Sequence, residues 1–411
     1  MANLRLAQIL ADAGHEVDVI TYPFGSAPPH AGVTVHRCRS APLVRSVGIG
    51  FSPAKLLLDI SLAIRAFHVL RSSKFDRIHA VEEGVFIGAA LGRRTGTPVI
   101  YDMDSILSDE MRRTALRVLP PVMWMIRALE RWAIRNSAVV LTICEGMADY
   151  VRTIDPAKDV AVVPDVPVSP SPGGPDADRA RTWMPPEILD GRRIVMYAGS
   201  LAGYQGLELL ISAMTRVTEA VLVVVGGDDK GIERLSKLAD AAGVMHNLVF
   251  VGKRPPEQVP DFLAAADVLV SPRRGGINPP GKIYTYMQSG RPMVATNIPA
   301  HTAVLDSDTA VLVEPCPDGI ADGILWALAH PREAKSRAER AQNLVREMTP
   351  ESQARAVLGA YDRIRFRGRG RSPSRPGTTG PSFPTQRVRT PNTQHRTPHS
   401  GESKSKSKSK G

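Results

Sequence analysis

Short apolar runs alternate with amphipathic segments along most of this chain, and this alternation limits its fold more than any other feature. The apolar runs are too brief for buried helices and are bounded by glycine or proline, so they predict β-strands, whereas the segments between them have helical spacing. Strands that alternate with helices form parallel βαβ units. The sequence therefore predicts an α/β protein with doubly wound parallel sheets.

The alternation occurs twice and is interrupted once. The interruption, at 167–192, includes PVSPSPGGPDADR and predicts a linker. Two doubly wound domains that face each other form a cleft at the carboxyl ends of their strands, where ligands bind in this architecture. The predicted organisation is an N-terminal Rossmann-like domain at 1–166, the linker at 167–192, a C-terminal Rossmann-like domain at 193–348, a helix at 349–366 that crosses back to the N-terminal domain, and a disordered basic tail at 367–411.

The net charge of +11 belongs to the end of the chain. Residues from Arg365 onward include eight arginines and four lysines against the single acid Glu402. Their glycine, serine and proline content cannot form a core, so they predict a solvated extension. Attraction of the tail to anionic lipid or nucleic acid is the alternative, and we expect no specific nucleic-acid partner.

Cysteine usage and hydropathy indicate the compartment. The three cysteines are odd in number and far apart, which argues against a disulfide framework and favours a reducing environment. No apolar run approaches the roughly 18 residues of a transmembrane helix. Asp12 interrupts the first segment where a signal peptide would stay apolar. We therefore expect a cytoplasmic protein.

The segment LPPVMWMIRALERWAIR, at 119–135, interleaves arginines with large apolar residues. A helix of this kind can lie on an anionic membrane surface, where lipid-linked acceptors reside. A helix that packs on a sheet needs the same apolar stripe, so both interpretations stay open.

An anion site is predicted within AADVLVSPRRGGINPPGKIYTYMQSGRPMVAT, at 265–296. Its ends predict short buried strands, and KIYTYMQSG predicts a helix that ends at Gly290. Unpaired backbone N–H groups and the positive end of the helix dipole converge where a loop leads into a helix. Lys282 falls in the first turn of that helix, so a phosphate is a plausible ligand, although a solvated lysine is the simpler alternative.

Ordered sequence blocks carry a resemblance to a known family. The second half contains YAGSLAGYQGLELLISAM, VLVVVGGDD, LVFVGKRPPEQVPDFLAAADVLVSP and GKIYTYMQSGRPMVATNIPAH, and the first half contains AGHEVDVIT, FDRIHAV, TPVIYDMDS and ERWAIRNSAVVLTICEGM. From residue 3 to residue 364 the chain resembles glycosyltransferases of the family 4 type, which have the GT-B fold. The resemblance implies a second domain that binds a nucleotide sugar, and sugar transfer with retained anomeric configuration without a metal or other cofactor.

Several positions depart from the family pattern. The family places an arginine after the first glycine of the second domain, here Gly199, and a lysine five residues later; Ser200 and Gln205 occupy these places. The family's pair of glutamates corresponds to Ile277 and Thr285. A histidine that follows the strand matching VIYDM in many relatives corresponds to Asp104 in this sequence.

The first helix poses a separate problem. Relatives open with a strand and a glycine-rich loop before the helix that LRLAQILADAGH matches, but Met1 falls almost at that helix. An absent central strand would leave backbone groups unpaired. We therefore expect a misassigned or truncated start.

The resemblance and its departures allow three functions. The first is a retaining glycosyltransferase that acts on a glycan, lipid-linked or small-molecule acceptor in surface glycan or glycolipid biosynthesis, and here Lys282 and Arg273 replace the lost cations. The second is a degenerate relative that binds a sugar nucleotide or a partner without turnover, and the third is a sugar-nucleotide epimerase. The first assigns Asp104 and Lys282 to catalysis and Asp102 to the acceptor. Its donor-binding residues are Gly199, Ser200, Gln205, Gly227, Asp228, Arg273, Pro280, Gly281, Ile283 and Thr285.

Four side chains have structural alternatives. Asp228 and Asp104 could each cap a helix instead of binding substrate. His79 lies within a predicted strand, which favours a core residue over a catalyst. His301 follows a strand and could face the cleft, but a core position is the favoured interpretation.

Overall fold

A computed structural model of this protein describes residues 2–25, 29–40, 53–111, 120–169, 173–189 and 191–364. The basic tail predicted at 367–411 lies outside the described residues, as do Met1 and Ser52.

Six strands and six helices alternate in the described part of the N-terminal half. They are α1 (Ala2–Asp12), β1 (Val17–Thr21), β2 (Val33–Arg37), α2 (Pro53–Ser72), β3 (Ile78–Val81), α3 (Gly84–Thr95), β4 (Val99–Met103), α4 (Leu107–Met111), α5 (Pro120–Asn136), β5 (Val139–Thr142), α6 (Glu145–Ile154) and β6 (Val160–Val162).

The alternation continues in the second half. Its elements are α7 (Ala177–Arg181), α8 (Pro186–Leu189), β7 (Arg193–Ala198), α9 (Leu207–Ala213), β8 (Ala220–Val225), α10 (Asp229–Ala241), β9 (Leu248–Gly252), α11 (Val259–Ala265), β10 (Val268–Ser271), α12 (Lys282–Gln288), β11 (Met293–Thr296), α13 (Pro299–Thr302), β12 (Val311–Val313), α14 (Pro317–Ala329), α15 (Pro331–Val345) and α16 (Pro350–Asp362). Single 3₁₀ turns lie at Gly203–Gln205, Met245–Asn247 and Pro256–Gln258.

All strand pairs among the described residues are parallel, which confirms the α/β prediction. The C-terminal sheet has the order β12-β11-β10-β7-β8-β9. Its first strand, β7, lies between β8 and β10, so the strand order reverses there. Loops at such a switch point diverge and leave a crevice at the carboxyl ends of the strands, where ligands bind.

The described strands of the N-terminal half form two separate sheets. One has four strands in the order β3-β4-β5-β6, and the other pairs β1 with β2. The four-stranded sheet is covered on one face by α3, α5 and α6, through residues such as Val85, Ile134 and Met147.

The last described helix, α16, packs against the N-terminal sheet. Val357 and Ala360 lie in one buried cluster with Ile100 and Leu141. The hydroxyl of Tyr361 lies 2.8 Å from Nδ1 of His79 in β3. Residues 1–365 form one compact unit, so the finer domain boundaries stay predictions.

The predicted linker contains more structure than its composition suggests. Asp176 caps α7, since its Oδ1 accepts hydrogen bonds from the backbone N–H groups of Asp178 (3.0 Å) and Arg179 (3.1 Å). Arg179 forms two hydrogen bonds, 2.7 and 2.8 Å long, with the fully buried carboxylate of Asp261 in α11. This ion pair fastens the short helix α7 to the C-terminal domain.

Within the described ranges, every helix falls short of the length or apolar character that crossing a membrane requires.

Candidate active site at the ends of two parallel sheets

Glycines allow the loops after β7 and β8 to approach each other closely. A Cβ atom at Gly226 would lie 2.3 Å from the carbonyl oxygen of Gly199, and one at Gly227 would lie 2.2 Å from Cδ1 of Leu201. Gly226 and Gly227 have φ angles of 113° and 88°, which side chains with a Cβ rarely adopt. These loops form the floor of a site at the switch point.

Lys282, the first residue of α12, directs its ammonium into this floor. Its Nζ donates hydrogen bonds to the hydroxyl of Tyr197 (2.8 Å) and to Oε1 of the buried Gln205 (2.7 Å). The same nitrogen lies 4.1 Å from the centre of the Tyr197 ring. A Cβ at Gly199 would lie 3.2 Å from Nζ, so this glycine leaves room for the lysine.

The surroundings of Lys282 oppose its charge. Desolvation lowers the pKa of Lys282 well below its usual value, and the guanidinium of Arg273 lowers this pKa further. Among the described residues, the ammonium has no ion pair with a carboxylate. A buried cation with neutral partners favours a site that binds an anion.

Arg273 lies beside this lysine, in the loop after β10, and is 4% exposed. It donates two hydrogen bonds to Asn278, to the backbone oxygen at 3.0 Å and to Oδ1 at 3.2 Å. Its guanidinium also lies 5.4 Å from the ring centre of Tyr204. The loop that leads to α12 is therefore held in place by the arginine that the sequence assigned to the donor.

Two residues assigned to the donor have structural roles. Ile283 is fully buried in the core of the C-terminal domain, and its backbone N–H donates to the carbonyl of Pro280 at 2.8 Å, so its donor-binding role stays a prediction. Asp228 caps α10, since its Oδ1 accepts a hydrogen bond of 2.9 Å from the backbone of Gly231. The capping alternative for Asp228 is therefore confirmed.

The hydroxyl of Thr285, which the sequence assigned to the ribose, already has a hydrogen-bond partner within the protein. Thr285 is 5% exposed, and its hydroxyl oxygen accepts a hydrogen bond of 3.2 Å from the backbone N–H of Val168. The ribose contact stays a prediction, and this position requires the hydroxyl to serve the linker as well.

His301 belongs to the core and not to the cleft. It is fully buried, and its Nδ1–H donates to the carbonyl of Thr296 at 2.8 Å. Its Nε2 therefore accepts from the hydroxyl of Ser271, 2.9 Å away. Desolvation lowers the pKa of His301 to about 4, so the ring is neutral at physiological pH.

Carboxylates line the N-terminal side of the site. Asp102 and Asp104 at the end of β4, and Asp165 after β6, border one cavity with the apolar residues Leu141 and Ile143. Desolvation, together with the charges of Asp102 and Asp165, raises the pKa of Asp104 to about 7. Desolvation also raises the pKa of Asp165. Asp104 can therefore hold or release a proton near neutral pH.

A hydrogen bond with His79 fixes the Asp102 side chain. Its Oδ2 lies 3.1 Å from Nε2 of His79, whose Nδ1 faces the Tyr361 hydroxyl. His79 is thus a strand residue that positions Asp102.

Glu82 is a further acid that the sequence alone did not indicate. Its φ of 48° places it in the left-handed region directly after β3, and its Oε2 accepts a hydrogen bond of 3.0 Å from the hydroxyl of Ser105. Desolvation, followed by the charge of Asp104, raises the pKa of Glu82 to about 9. A position at the carboxyl end of a strand was the available signal, as it was for Asp165.

The loop before Lys282 lies close to the carboxylates of the N-terminal domain. A Cβ at Gly281, directly before Lys282, would lie 3.2 Å from Oδ2 of Asp165. The side-chain amide of Asn278 lies 3.5 Å from the backbone oxygen of Asp104. The structure therefore places the loop that leads to α12 against Asp104 and Asp165.

Two doubly wound sheets with facing strand ends define the GT-B class of fold. The structure is similar to sucrose-phosphate synthase from Thermosynechococcus elongatus, with a TM-score of 0.73 and 21% identity over 87% of this chain and 91% of that one. It is also similar to the Anabaena protein HepE in complex with UDP and glucose, with a TM-score of 0.67 and 16% identity over 88% of this chain and 95% of that one.

Sequence matches identify the family. Residues 2–165 match the glycosyl transferase 4-like domain, and residues 192–330 match the glycosyl transferases group 1 domain. The chain belongs to the group 1 glycosyltransferases of the family 4 type, as its sequence blocks predicted.

Curated relatives are glycosyltransferases with different named substrates. The chain is 27% identical to alpha-D-kanosaminyltransferase of Streptomyces kanamyceticus, over 67% of this chain and 74% of that one. It is also 27% identical to a putative colanic acid biosynthesis glycosyl transferase of Escherichia coli, over 84% of this chain and 93% of that one.

Proposed function

We propose that this glycosyltransferase moves a sugar, with retention of anomeric configuration, from a nucleotide sugar whose diphosphate contacts Lys282. The observation that carries the proposal is the 2.7 Å hydrogen bond between Lys282 Nζ and Gln205 Oε1. Gln205 stands where the family resemblance implies a lysine, so Lys282 reaches the place of the replaced cation from a different element. The site regains a positive charge without any change of fold.

The charges of Lys282 and Arg273 support the proposed contact with the donor diphosphate. Transfer leaves a nucleoside diphosphate, and donors already fixed in place stabilise the charge that develops on it. Lys282 supplies a point charge, and Arg273 adds a second cation next to it. A bound diphosphate would offset the desolvation that disfavours the lysine's protonated form. No metal ion is needed in this arrangement.

The acceptor side of the proposal rests on the carboxylates. Asp104 has a pKa of about 7, and its backbone oxygen faces Asn278 in the loop that leads to Lys282. It can accept a hydrogen bond from an acceptor hydroxyl, while Asp102, fixed by His79, binds a second hydroxyl. Hydroxyl-rich acceptors suit such a site, and we place the reaction in the synthesis of a surface glycan or glycolipid.

Calorimetry and product analysis test this function. The protein is titrated with UDP-, GDP- and ADP-sugars, and each donor is then followed for transfer or hydrolysis. We expect one donor class to bind and to turn over, and nuclear magnetic resonance of the product to show the donor's anomeric configuration. Binding without turnover would instead favour a non-catalytic relative, and a changed sugar on an intact nucleotide would favour an epimerase.

An exchange of the two partners tests the role of Lys282. Lys282→Ala should weaken donor binding by about 1.5 to 3 kcal/mol, because a hydrogen bond to a charged group is lost. The double variant Gln205→Lys with Lys282→Gln should recover part of this affinity, since the two side chains touch. Equal affinity of wild type and Lys282→Ala, or no recovery in the exchange, would remove the lysine from the donor site.

A further inference from the structure

Helix α5 exposes large apolar side chains together with arginines. Trp124 is 70% exposed, Met125 49% and Leu129 41%. The opposite side of the helix is buried in the N-terminal domain. Residues at helical spacing define what we call the basic apolar face: Trp124, Met125, Arg127, Leu129, Arg131 and Arg135.

The basic apolar face has no acidic counterpart on its own helix. Glu130 is the single acid of α5, and it is buried, where its Oε2 accepts hydrogen bonds from the hydroxyls of Ser108 (2.8 Å) and Tyr150 (2.5 Å). Among the described residues, none of the three arginines of this face has an ion pair with an acid. The outward face is therefore both apolar and positively charged.

Helix α2 carries a second exposed apolar stripe. Leu57, Ile60 and Ile64 are each 55% exposed and lie on one side of the helix, whereas Leu58 and Ala66 on the other side are buried. Isolated exposed apolar residues are common, but three at the spacing of one helix face form a continuous patch.

Helix α3 contacts both α2 and α5. Arg93 of α3 donates a hydrogen bond of 3.1 Å to Asn136 at the end of α5. Arg94 of α3 lies 5.8 Å from the ring centre of Phe67 in α2. The stripe on α2 and the basic apolar face therefore belong to helices that pack against a common neighbour.

We propose that the basic apolar face of α5, with the stripe of α2, docks this protein on the surface of an anionic lipid bilayer. Tryptophan and aliphatic side chains enter the boundary between headgroups and acyl chains, and arginines bind lipid phosphates from the same helix. A protein partner of matching charge would need acids between its apolar contacts, whereas an anionic bilayer presents both chemistries everywhere. Binding in this way would bring the cleft of the enzyme to the membrane surface, whichever sugar the enzyme transfers.

Fluorescence of Trp124 distinguishes membrane binding through the basic apolar face from binding through the basic tail. The full chain is mixed with vesicles of phosphatidylcholine, with or without phosphatidylglycerol, that contain brominated acyl chains. We expect binding to the vesicles with phosphatidylglycerol, quenching of tryptophan emission, and loss of most of this quenching in Trp124→Phe. The other three tryptophans are half-buried and serve as the internal reference.

Surface variants complete the test. Replacing Arg127, Arg131 and Arg135 together by Gln should weaken vesicle binding roughly tenfold or more. Ile60→Ser with Ile64→Ser should reduce the quenching of Trp124 in bound protein. Leu344→Ser, on the exposed end of α15, is the matched control and should change neither quantity.

Two outcomes would overturn the proposal. Vesicles that bind the protein without quenching Trp124 would assign the binding to the basic tail. A lipid-free dimer in sedimentation velocity that Trp124→Ala dissociates would assign the basic apolar face to a second copy of the chain. Circular dichroism and the melting temperature show that each variant remains folded.

Discussion

Glu82 should make the stability of this protein depend on pH. Its folded-state pKa of about 9 lies above its usual 4.5, because burial disfavours the carboxylate. The folded protein therefore holds a proton that the unfolded chain has released, and stability falls as pH rises between the two values. Asp104, with a pKa of about 7, acts in the same direction over a narrower range.

Glu82→Gln should remove most of this dependence. The free energy of unfolding of the wild type should decrease between about pH 5 and pH 9, and the variant should reduce that decrease by on the order of a few kcal/mol. Urea denaturation at several pH values measures the difference. Glu339→Gln, at an exposed position of α15, is the control and should leave the wild-type slope unchanged. Parallel pH profiles of wild type and Glu82→Gln would show that the carboxyl is solvated.

Individual site residues were predictable to different degrees. Lys282 and Arg273 stood out because a cation in a loop between a strand and a helix suggests an anion site. The contact of Lys282 with Gln205 could not be read from the sequence, since 77 positions separate them. The burial of Ile283 could not be predicted, because helical spacing alone does not tell which side of α12 faces the core.

The approach of the β7 and β8 loops gives a prediction for backbone packing. Gly226→Ala would place a Cβ 2.3 Å from a backbone oxygen at a φ of 113°, so the loops must separate. We expect a loss of about 2 to 4 kcal/mol in the free energy of unfolding and weaker donor binding. Gly359→Ala in α16 meets no atom within 4 Å and should instead stabilise by about 0.5 to 1 kcal/mol. Similar chemical denaturation midpoints for both variants would contradict this account.

Whole strands and long helices followed from the sequence more closely than short elements did. β7, β8 and β10 are apolar runs bounded by glycine or proline, and the structure places strands there. The five-residue helix α7 was assigned to a linker, because one turn and a half has too few positions to show a helical period. Its position depends on the ion pair between Arg179 and Asp261, which joins distant parts of the chain.

The return of α16 to the N-terminal sheet makes the end of the described chain part of the first domain's core. Tyr361 is buried there, and its hydroxyl contacts His79, which in turn contacts Asp102 at the candidate active site. The sequence predicted a crossing helix at 349–366, but the side chains that it meets depend on the assembled molecule. The stability of the N-terminal sheet and the position of Asp102, which we propose binds the acceptor, are therefore coupled through Tyr361.

Two replacements of Tyr361 separate these contributions. Tyr361→Ala removes a buried ring and should cost about 3 to 5 kcal/mol in the free energy of unfolding, because neighbouring apolar side chains cannot fill the space. Tyr361→Phe keeps the ring and loses the hydrogen bond with His79, so it should cost only about 1 kcal/mol. The phenylalanine variant should nevertheless raise the KM for the acceptor while donor affinity is unchanged, since the His79 ring that positions Asp102 loses a fixed partner. Urea denaturation and acceptor kinetics measure the two effects; an acceptor KM equal to that of the wild type would show that Tyr361 serves stability alone.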